Sequence, residues 1–247
     1  LTNDDGFFDD GMEAMIKIAQ VLSDDVWVVA PQEDQSGMAH AITMNHPMRV
    51  TKHDEKRYSV TGTPADCVIM AVRELMDEKP DLILSGVNSG TNIGDYVNYS
   101  GTVAGAMEGM HLGIRSIALS QAYFYGGKRD VPWDTAVQHA PDVIRKLLTL
   151  DAPISTYFNV NFPRCSAESV TGVEIATQGK FEHALKMEKR HDGRGRPYYW
   201  VVFDGEPTEG QPGSDIAAID NNKIAVTPLQ MNLTDSKVVS MLNTLDW

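Results

Sequence analysis

The feature that most constrains this chain is an alternation of short strand-like runs with helix-spaced apolar positions through its first two-thirds. Residues 26–30 make one such run, closed by Pro31, and residues 81–85, 116–120 and 157–161 make three more. Met12, Met15, Ile16, Ala19 and Leu22 recur at helical spacing ahead of the first run. Thr63-Pro64-Ala65-Asp66 has the chemistry of a helix start: a capping hydroxyl, a proline at the first position and a carboxylate at the positive end of the dipole. That helix is predicted to run to about residue 76, with others over 102–111 and within 131–150. A hairpin is predicted from residues 49–52 and 58–61, with a charged tip at 54–57, and Leu1-Thr2-Asn3 reads as the end of a first strand. This βαβα order predicts an α/β fold, a mainly parallel sheet covered by helices on both faces.

After about residue 177 the texture changes. Residues 180–196 are charged and carry Gly193 and Gly195; Tyr198-Tyr199-Trp200-Val201-Val202-Phe203 then reads as an aromatic strand. A loop over 205–215, a strand over 223–227 and a polar tail follow. We read residues 1–177 as the catalytic core and residues 178–247 as C-terminal β-hairpins and tail that serve oligomerisation, both parts of one structural domain.

The net charge of −13 argues against holding duplex nucleic acid by phosphate neutralisation. It also means that a phosphorylated small molecule needs local positive charge, for which a bound cation is the natural source. Cys67 and Cys165 are too few for a four-cysteine zinc site and read as reduced, structural thiols. No apolar run is long enough to cross a membrane and no stretch reads as a signal peptide, so a cytoplasmic location without membrane partners is expected.

Ligands of open α/β sheets bind outside the carboxyl ends of the strands. Three predicted strand exits carry unusual polar residues: Asn3-Asp4-Asp5-Gly6, the loop with Asp34 and Ser36, and Ser85-Gly86-Val87-Asn88-Ser89-Gly90, which opens a glycine-rich loop over 86–101. Asp4 and Asp5 are adjacent at a turn that Gly6 permits, and two carboxylates so close repel unless a proton or cation is shared. Hard oxygen donors select Mg²⁺, Mn²⁺ or Ca²⁺ over zinc. The plainer alternative is a cap at Asp4 and a solvated Asp5. Ser36 alone is an ordinary turn former, while Asn88 stands out among glycines. Ser100-Gly101-Thr102 opens a helix, where free amides suit a phosphate or simply an N-cap. His40 is either a proton donor or a packed residue. Neither the dinucleotide fingerprint nor the P-loop pattern is present.

At these residues the chain resembles the SurE (survival protein E) nucleotidases. The resemblance rests on Leu1-Thr2-Asn3-Asp4-Asp5-Gly6, Gln35-Ser36-Gly37, Thr61-Gly62-Thr63-Pro64-Ala65-Asp66-Cys67 and Ser85-Gly86-Val87-Asn88-Ser89-Gly90-Thr91-Asn92-Ile93-Gly94. It continues through Tyr99-Ser100-Gly101-Thr102-Val103-Ala104-Gly105, Asn159-Val160-Asn161-Phe162-Pro163, Gly213-Ser214-Asp215 and Val226-Thr227-Pro228-Leu229. It implies a Rossmann-like sheet with a C-terminal β-hairpin extension. It implies metal-dependent hydrolysis of nucleoside 5′- and 3′-monophosphates, in some members also of short polyphosphate. It implies one divalent ion per subunit, Mg²⁺ or Mn²⁺, held by Asp4, Asp5, Ser36 and Asn88, with Asn92, Ser100, Gly101 and Thr102 around the phosphate. It further implies a homodimer or homotetramer formed through C-terminal elements, a role the aromatic strand would fit. Two departures are the serine of Gly213-Ser214-Asp215, where the family often has threonine, and the less family-like stretch 121–131. On this reading Asp4 or Asp5 orients or deprotonates the attacking water. A nucleotide-binding sensor without turnover is the alternative; a glycosidase fits less well, because its two carboxyl groups flank the bond at about 5 Å or more.

Overall fold

The structure, a computed structural model, describes residues 1–124, 130–181, 185–203 and 210–247. In chain order its regular elements are α1 (Asp10–Gln20), β1 (Val28–Pro31), β2 (Val50–Asp54), β3 (Arg57–Val60), α2 (Pro64–Met70), β4 (Leu82–Ser89), α3 (Gly101–His111), β5 (Arg115–Gln121), α4 (Trp133–Leu148), β6 (Thr156–Phe162), β7 (Gly172–Ile175), β8 (Leu185–His191), β9 (Pro197–Phe203), α5 (Asp215–Asp220), β10 (Lys223–Gln230) and α6 (Ser236–Leu242).

Two sheets, β1-β3-β2 and β4-β5-β6-β10-β7, are joined through the chain's first residues. The amide of Val29 donates to the Leu1 carbonyl (2.9 Å), the Thr2 amide to Leu84 (3.0 Å) and the Gly86 amide to Thr2 (2.8 Å). Residues 1–3 thus run between β1 and β4. The chain leaves to one side for β1 and β3 and to the other for β4, β5 and β6, which makes this a topological switch point. Pairing is parallel in β1–β3, β4–β5, β5–β6 and β7–β10, and antiparallel in β2–β3 and β6–β10. Helices cover both faces, α1 against α4 on one and α2 against α3 on the other. Met12, Met15, Ile18 and Ile144 are buried with Ile117 and Phe162 on the first face; Val103 and Ala106 are buried with Ala118 and Tyr157 on the second. The α/β architecture expected from the strand–helix alternation is therefore the one that forms.

Local chemistry explains the element ends. The Asp9 side chain accepts from the Gly11 amide and starts α1. Thr63 and Asp66 form a full capping box at α2, with Pro64 in the first turn. That helix is α-helical only to Met70 and continues as a π-turn over Ala71–Leu75, which is why its apolar spacing extends to about residue 76.

Three elements differ from the sequence reading. The second apolar run does not end at Ser85: β4 continues to Ser89, with a register shift between Ser85 and Asn88. Gly86 marks that irregularity and not a turn. Its φ is +130°, and a Cβ there would collide with the Leu119 carbonyl. The charged stretch contains β8, paired antiparallel with β9; its charges alternate with Leu185 and Met187 because both faces of the hairpin are exposed. β10 lies inside the main sheet, between β6 and β7, and the tail ends in the exposed helix α6. Residues 125–129 of the stretch 121–131, residues 182–184 of the charged stretch, and residues 205–209 of the loop 205–215 lie outside the described residues.

A candidate carboxylate-lined metal centre

The first strand ends in a turn locked by Asn3, whose side chain donates to the Gly6 carbonyl (2.8 Å) and accepts the Gly6 amide (3.3 Å). Gly6, at φ +115°, supplies the conformation that a side chain would resist. The turn is fastened to the β1 exit, the Phe7 amide donating to Pro31 (2.8 Å) and the Gln35 amide to the Asp4 carbonyl (2.7 Å). Residue 35 thereby brings the Ser36 loop to the Asp4–Asp5 turn. Asp66 holds that loop further along, accepting from the Thr43 amide (3.0 Å) and hydroxyl (2.6 Å).

Asp4 is buried and faces the amino end of α3. The Thr102 hydroxyl donates to Asp4 Oδ1, and a Cβ on Gly101 would stand 2.8 Å from the Asp4 Cβ, so glycine is what lets the helix approach. Burial pushes the Asp4 carboxyl up to about 6, against the lowering effect of the Thr102 bond. Asp5 is half-buried and its Oδ2 accepts the Ser89 amide (3.2 Å), which ties it to the β4 exit. Burial, and then repulsion from Asp4 and Asp9, push it up to about 7, with Asp34 adding in the same direction. Asn88 donates its Nδ2 to the Gly90 carbonyl (2.7 Å), which leaves its side-chain oxygen as an acceptor. Ser36 is exposed, its amide turned onto Asp34 Oδ1 (2.7 Å).

The four residues expected around a phosphate are placed differently from one another. Ser100 caps α3 by accepting the Val103 amide (3.0 Å) and keeps its own proton to donate. Gly101 and the Thr102 hydroxyl are applied to Asp4. Asn92 is buried, with Nδ2 on Ser120 Oγ (2.9 Å), its amide on Asn161 Oδ1 (2.8 Å) and its carbonyl accepting from Asn159 Nδ2 (2.7 Å). His40 is a packed residue: its Nε2 meets Glu108 Oε2 at 2.9 Å and its ring stacks on His111.

Sequence reasoning missed the acidic neighbour Asp9 and the roles of Ser120, Asn159 and Asn161. The signals for the latter were polar residues alternating inside apolar strands and, for Asn159 and Asn161, a motif shared with the resembled family.

Among the described residues no group of three or more His, Cys, Asp or Glu side chains could hold a metal ion. A cation here must therefore take hydroxyl or amide donors beside two carboxylates. The residues present fit that demand: Asp4 and Asp5 are held ionisable but strained by burial and by other carboxylates, and Asn88 offers an uncommitted amide oxygen. A recess of about 580 Å³ opens instead at the amino ends of the central strands, between Trp27, Val72 and Leu82, and includes none of the four expected ligands. The carboxylate turn, at the carboxyl ends, is the better candidate because its chemistry, and not its volume, is unusual.

Comparison with known proteins places the whole chain. A family model described as survival protein SurE matches residues 1–185. The chain is 51% identical over 242 residues to the 5′-nucleotidase SurE of Allorhizobium ampelinum, covering 98% of this chain and 94% of that protein. It is 53% identical over 235 residues to the 5′-nucleotidase SurE of Rhizobium meliloti, covering 95% and 92%. The crystal structure of the SurE protein from Aquifex aeolicus superposes with a TM-score of 0.84 at 38% identity, covering 98% of this chain and 96% of that one. The chain that folds an acidic turn onto the amino end of α3 in this way belongs to the SurE family.

Proposed function

We propose that this chain is a 5′-nucleotidase, a divalent-metal-dependent phosphomonoesterase that converts nucleoside 5′- and 3′-monophosphates to nucleoside and phosphate, with short polyphosphate as a further substrate. The observation that carries the reading is the buried Asp4 beside Asp5 at the amino end of α3, in a turn whose other charged neighbours are carboxylates. Relatives more than 50% identical over nearly the whole chain, named 5′-nucleotidases, support it. In this reading Asp4, Asp5, Ser36 and Asn88 hold one Mg²⁺ or Mn²⁺ per subunit, and Asn92, Ser100, Gly101 and Thr102 surround the phosphate.

A cation bound there supplies Lewis-acid polarisation of a phosphoryl oxygen and offsets the negative charge of site and substrate. The chain's own groups do the rest. The Gly101 amide at the start of α3 and the Ser100 hydroxyl donate to the equatorial phosphoryl oxygens as charge builds on them, while the Thr102 and Val103 amides are taken by Asp4 and Ser100. Thr102 fixes the Asp4 carboxylate, so the pair is held in place before substrate arrives. Asp4 or Asp5 orients the attacking water and takes its proton. The buried scaffold of Asn92, Ser120, Asn159 and Asn161 fixes the backbone that leads into the phosphate side.

Two further parts belong to the proposal. Residues 178–247 make a homodimer or homotetramer, supported by the exposed side chains of the β8–β9 hairpin and α6. The protein works in the cytoplasm, supported by free, buried Cys67 and Cys165; among the described residues no helix is long and apolar enough to cross a membrane.

The test is phosphate release from a panel of nucleoside monophosphates with Mn²⁺, Mg²⁺ or EDTA. Release is expected with metal and absent in EDTA, and Asp4→Asn should lower turnover about 100-fold or more. Nucleotide binding without release, from folded protein in every metal, would favour the sensor reading.

A further inference from the structure

The carboxyl group of Asp215 is fully buried and lies outside the metal turn, in the Gly213-Ser214-Asp215 motif that the proposed reaction does not use. Three backbone amides hold it. Gly94 donates to Oδ2 (2.9 Å), while Gly179 (2.8 Å) and Ile216 (2.9 Å) donate to Oδ1. Gly94 is the first residue of the 3-10 turn Gly94–Tyr99, which joins Asn92 at one end to Ser100 at the other. Its carbonyl is held too, by Gln178 Nε2 (2.9 Å). The next residue, Asp95, accepts the Phe181 amide (3.2 Å), and the Tyr96 ring stacks on Phe181 at 4.5 Å. The link between the two halves of the phosphate side is therefore docked, at both polar groups of Gly94, on a block contributed by residues from the last third of the chain.

From this geometry we propose that Asp215 is a positioning residue for phosphate-ester binding: through Gly94 it sets the place of the Asn92–Ser100 link. It acts on the phosphate side and leaves the cation's donors untouched. The inference rests on the nucleotidase reading above. Its physical basis is the division of labour between the two oxygens. An asparagine can keep the Gly179 and Ile216 bonds on its one oxygen, but it then turns an NH₂ towards the Gly94 amide, so donor meets donor. A charged acceptor satisfied by backbone amides also makes a stiffer anchor than a neutral one.

The experiment measures four quantities for the wild type, Asp215→Asn and Gln178→Ala: KM and kcat for AMP, the inhibition constant of inorganic phosphate, and Mn²⁺ affinity by titration calorimetry. Asp215→Asn is expected to raise KM and the phosphate inhibition constant about tenfold, with Mn²⁺ affinity changed less than about twofold. Gln178→Ala removes an exposed side chain, which spares the core, and should raise the same two constants about threefold. Unchanged KM and phosphate inhibition in Gln178→Ala and in folded Asp215→Asn would overturn the proposal. So would a loss of Mn²⁺ affinity that tracks the loss of activity. If Asp215→Asn does not fold, the Gln178→Ala constants decide alone. A wild type that binds Mn²⁺ but releases no phosphate would remove the nucleotidase reading itself, a failure visible before any variant is compared.

Discussion

Asp4 and Asp5 sit next to each other in the chain yet experience different surroundings. Asp4 is buried under α3 and satisfied by Thr102, while Asp5 is half-open and crowded by Asp4 and Asp9. Thr102→Val keeps the volume and removes the donor. Because that bond lowers the Asp4 carboxyl, its loss should push the group further up and weaken Mn²⁺ binding about tenfold, read by calorimetry. The pair also fixes a pH dependence. In the cation-free protein the carboxyls titrate at about 6 and about 7, whereas in the unfolded chain both titrate near the usual aspartate value. Between those limits the folded state binds more protons, so the pair's contribution to stability falls as pH rises through the window and is lowest above it. In the proposed site the cation takes the ionised pair. The rise in Tm on adding Mn²⁺ should therefore be small near pH 5 and much larger near pH 8; equal shifts at about both values would contradict the assignment of these carboxylates as ligands.

At the scale of elements, β4 is the strand whose exit carries Asn88, and its course depends on Gly86. A positive φ and a closely approaching Leu119 carbonyl leave no room for a side chain. Gly86→Ala should cost about 2–3 kcal/mol, measured by urea unfolding, and should weaken Mn²⁺ binding by displacing Asn88. The sequence reading ended the strand at Ser85 because glycine is a turn signal. Inside a sheet the same residue also marks an irregularity or a close backbone approach, and only the neighbouring strand decides which. The hairpin of β2 and β3, the capping box of α2 and the start of α3 were legible for the opposite reason: their signals are local, set by residues a few positions apart.

At the scale of the whole molecule, the β8–β9 hairpin and α6 are among the described parts that expose apolar side chains. In the β8–β9 pairing, Met187 stands opposite Val201 and Lys189 opposite Tyr199, so Leu185, Met187, Tyr199 and Val201 share one face, and all four are exposed. Val238, Val239, Met241 and Leu242 of α6 are exposed as well. Apolar area of this kind is costly to leave in water. If the proposed oligomer forms through this face, replacing Met187 and Val201 together by glutamate reduces it to a smaller species in sedimentation velocity without changing the spectrum of the folded core. An unchanged sedimentation coefficient would remove the hairpin from the proposed interface.

The sequence by itself determined the strand–helix alternation, the sites of the caps and the chemistry of the strand exits, because periodicity and capping are written in neighbouring residues. It also marked Asp4, Asp5 and Asn88 as residues of unusual chemistry, whereas Ser36 stood out only through the family resemblance. Only the tertiary structure decided that Thr102 would be spent on Asp4, that Asn92 would be buried against Ser120, and that β10 would enter the sheet between β6 and β7. It likewise decided that Asp215 would hold Gly94 from 121 residues away. Those outcomes depend on contacts between distant segments, whose partners are chosen by burial and by the need to satisfy every buried polar group, and neither is expressed in local sequence.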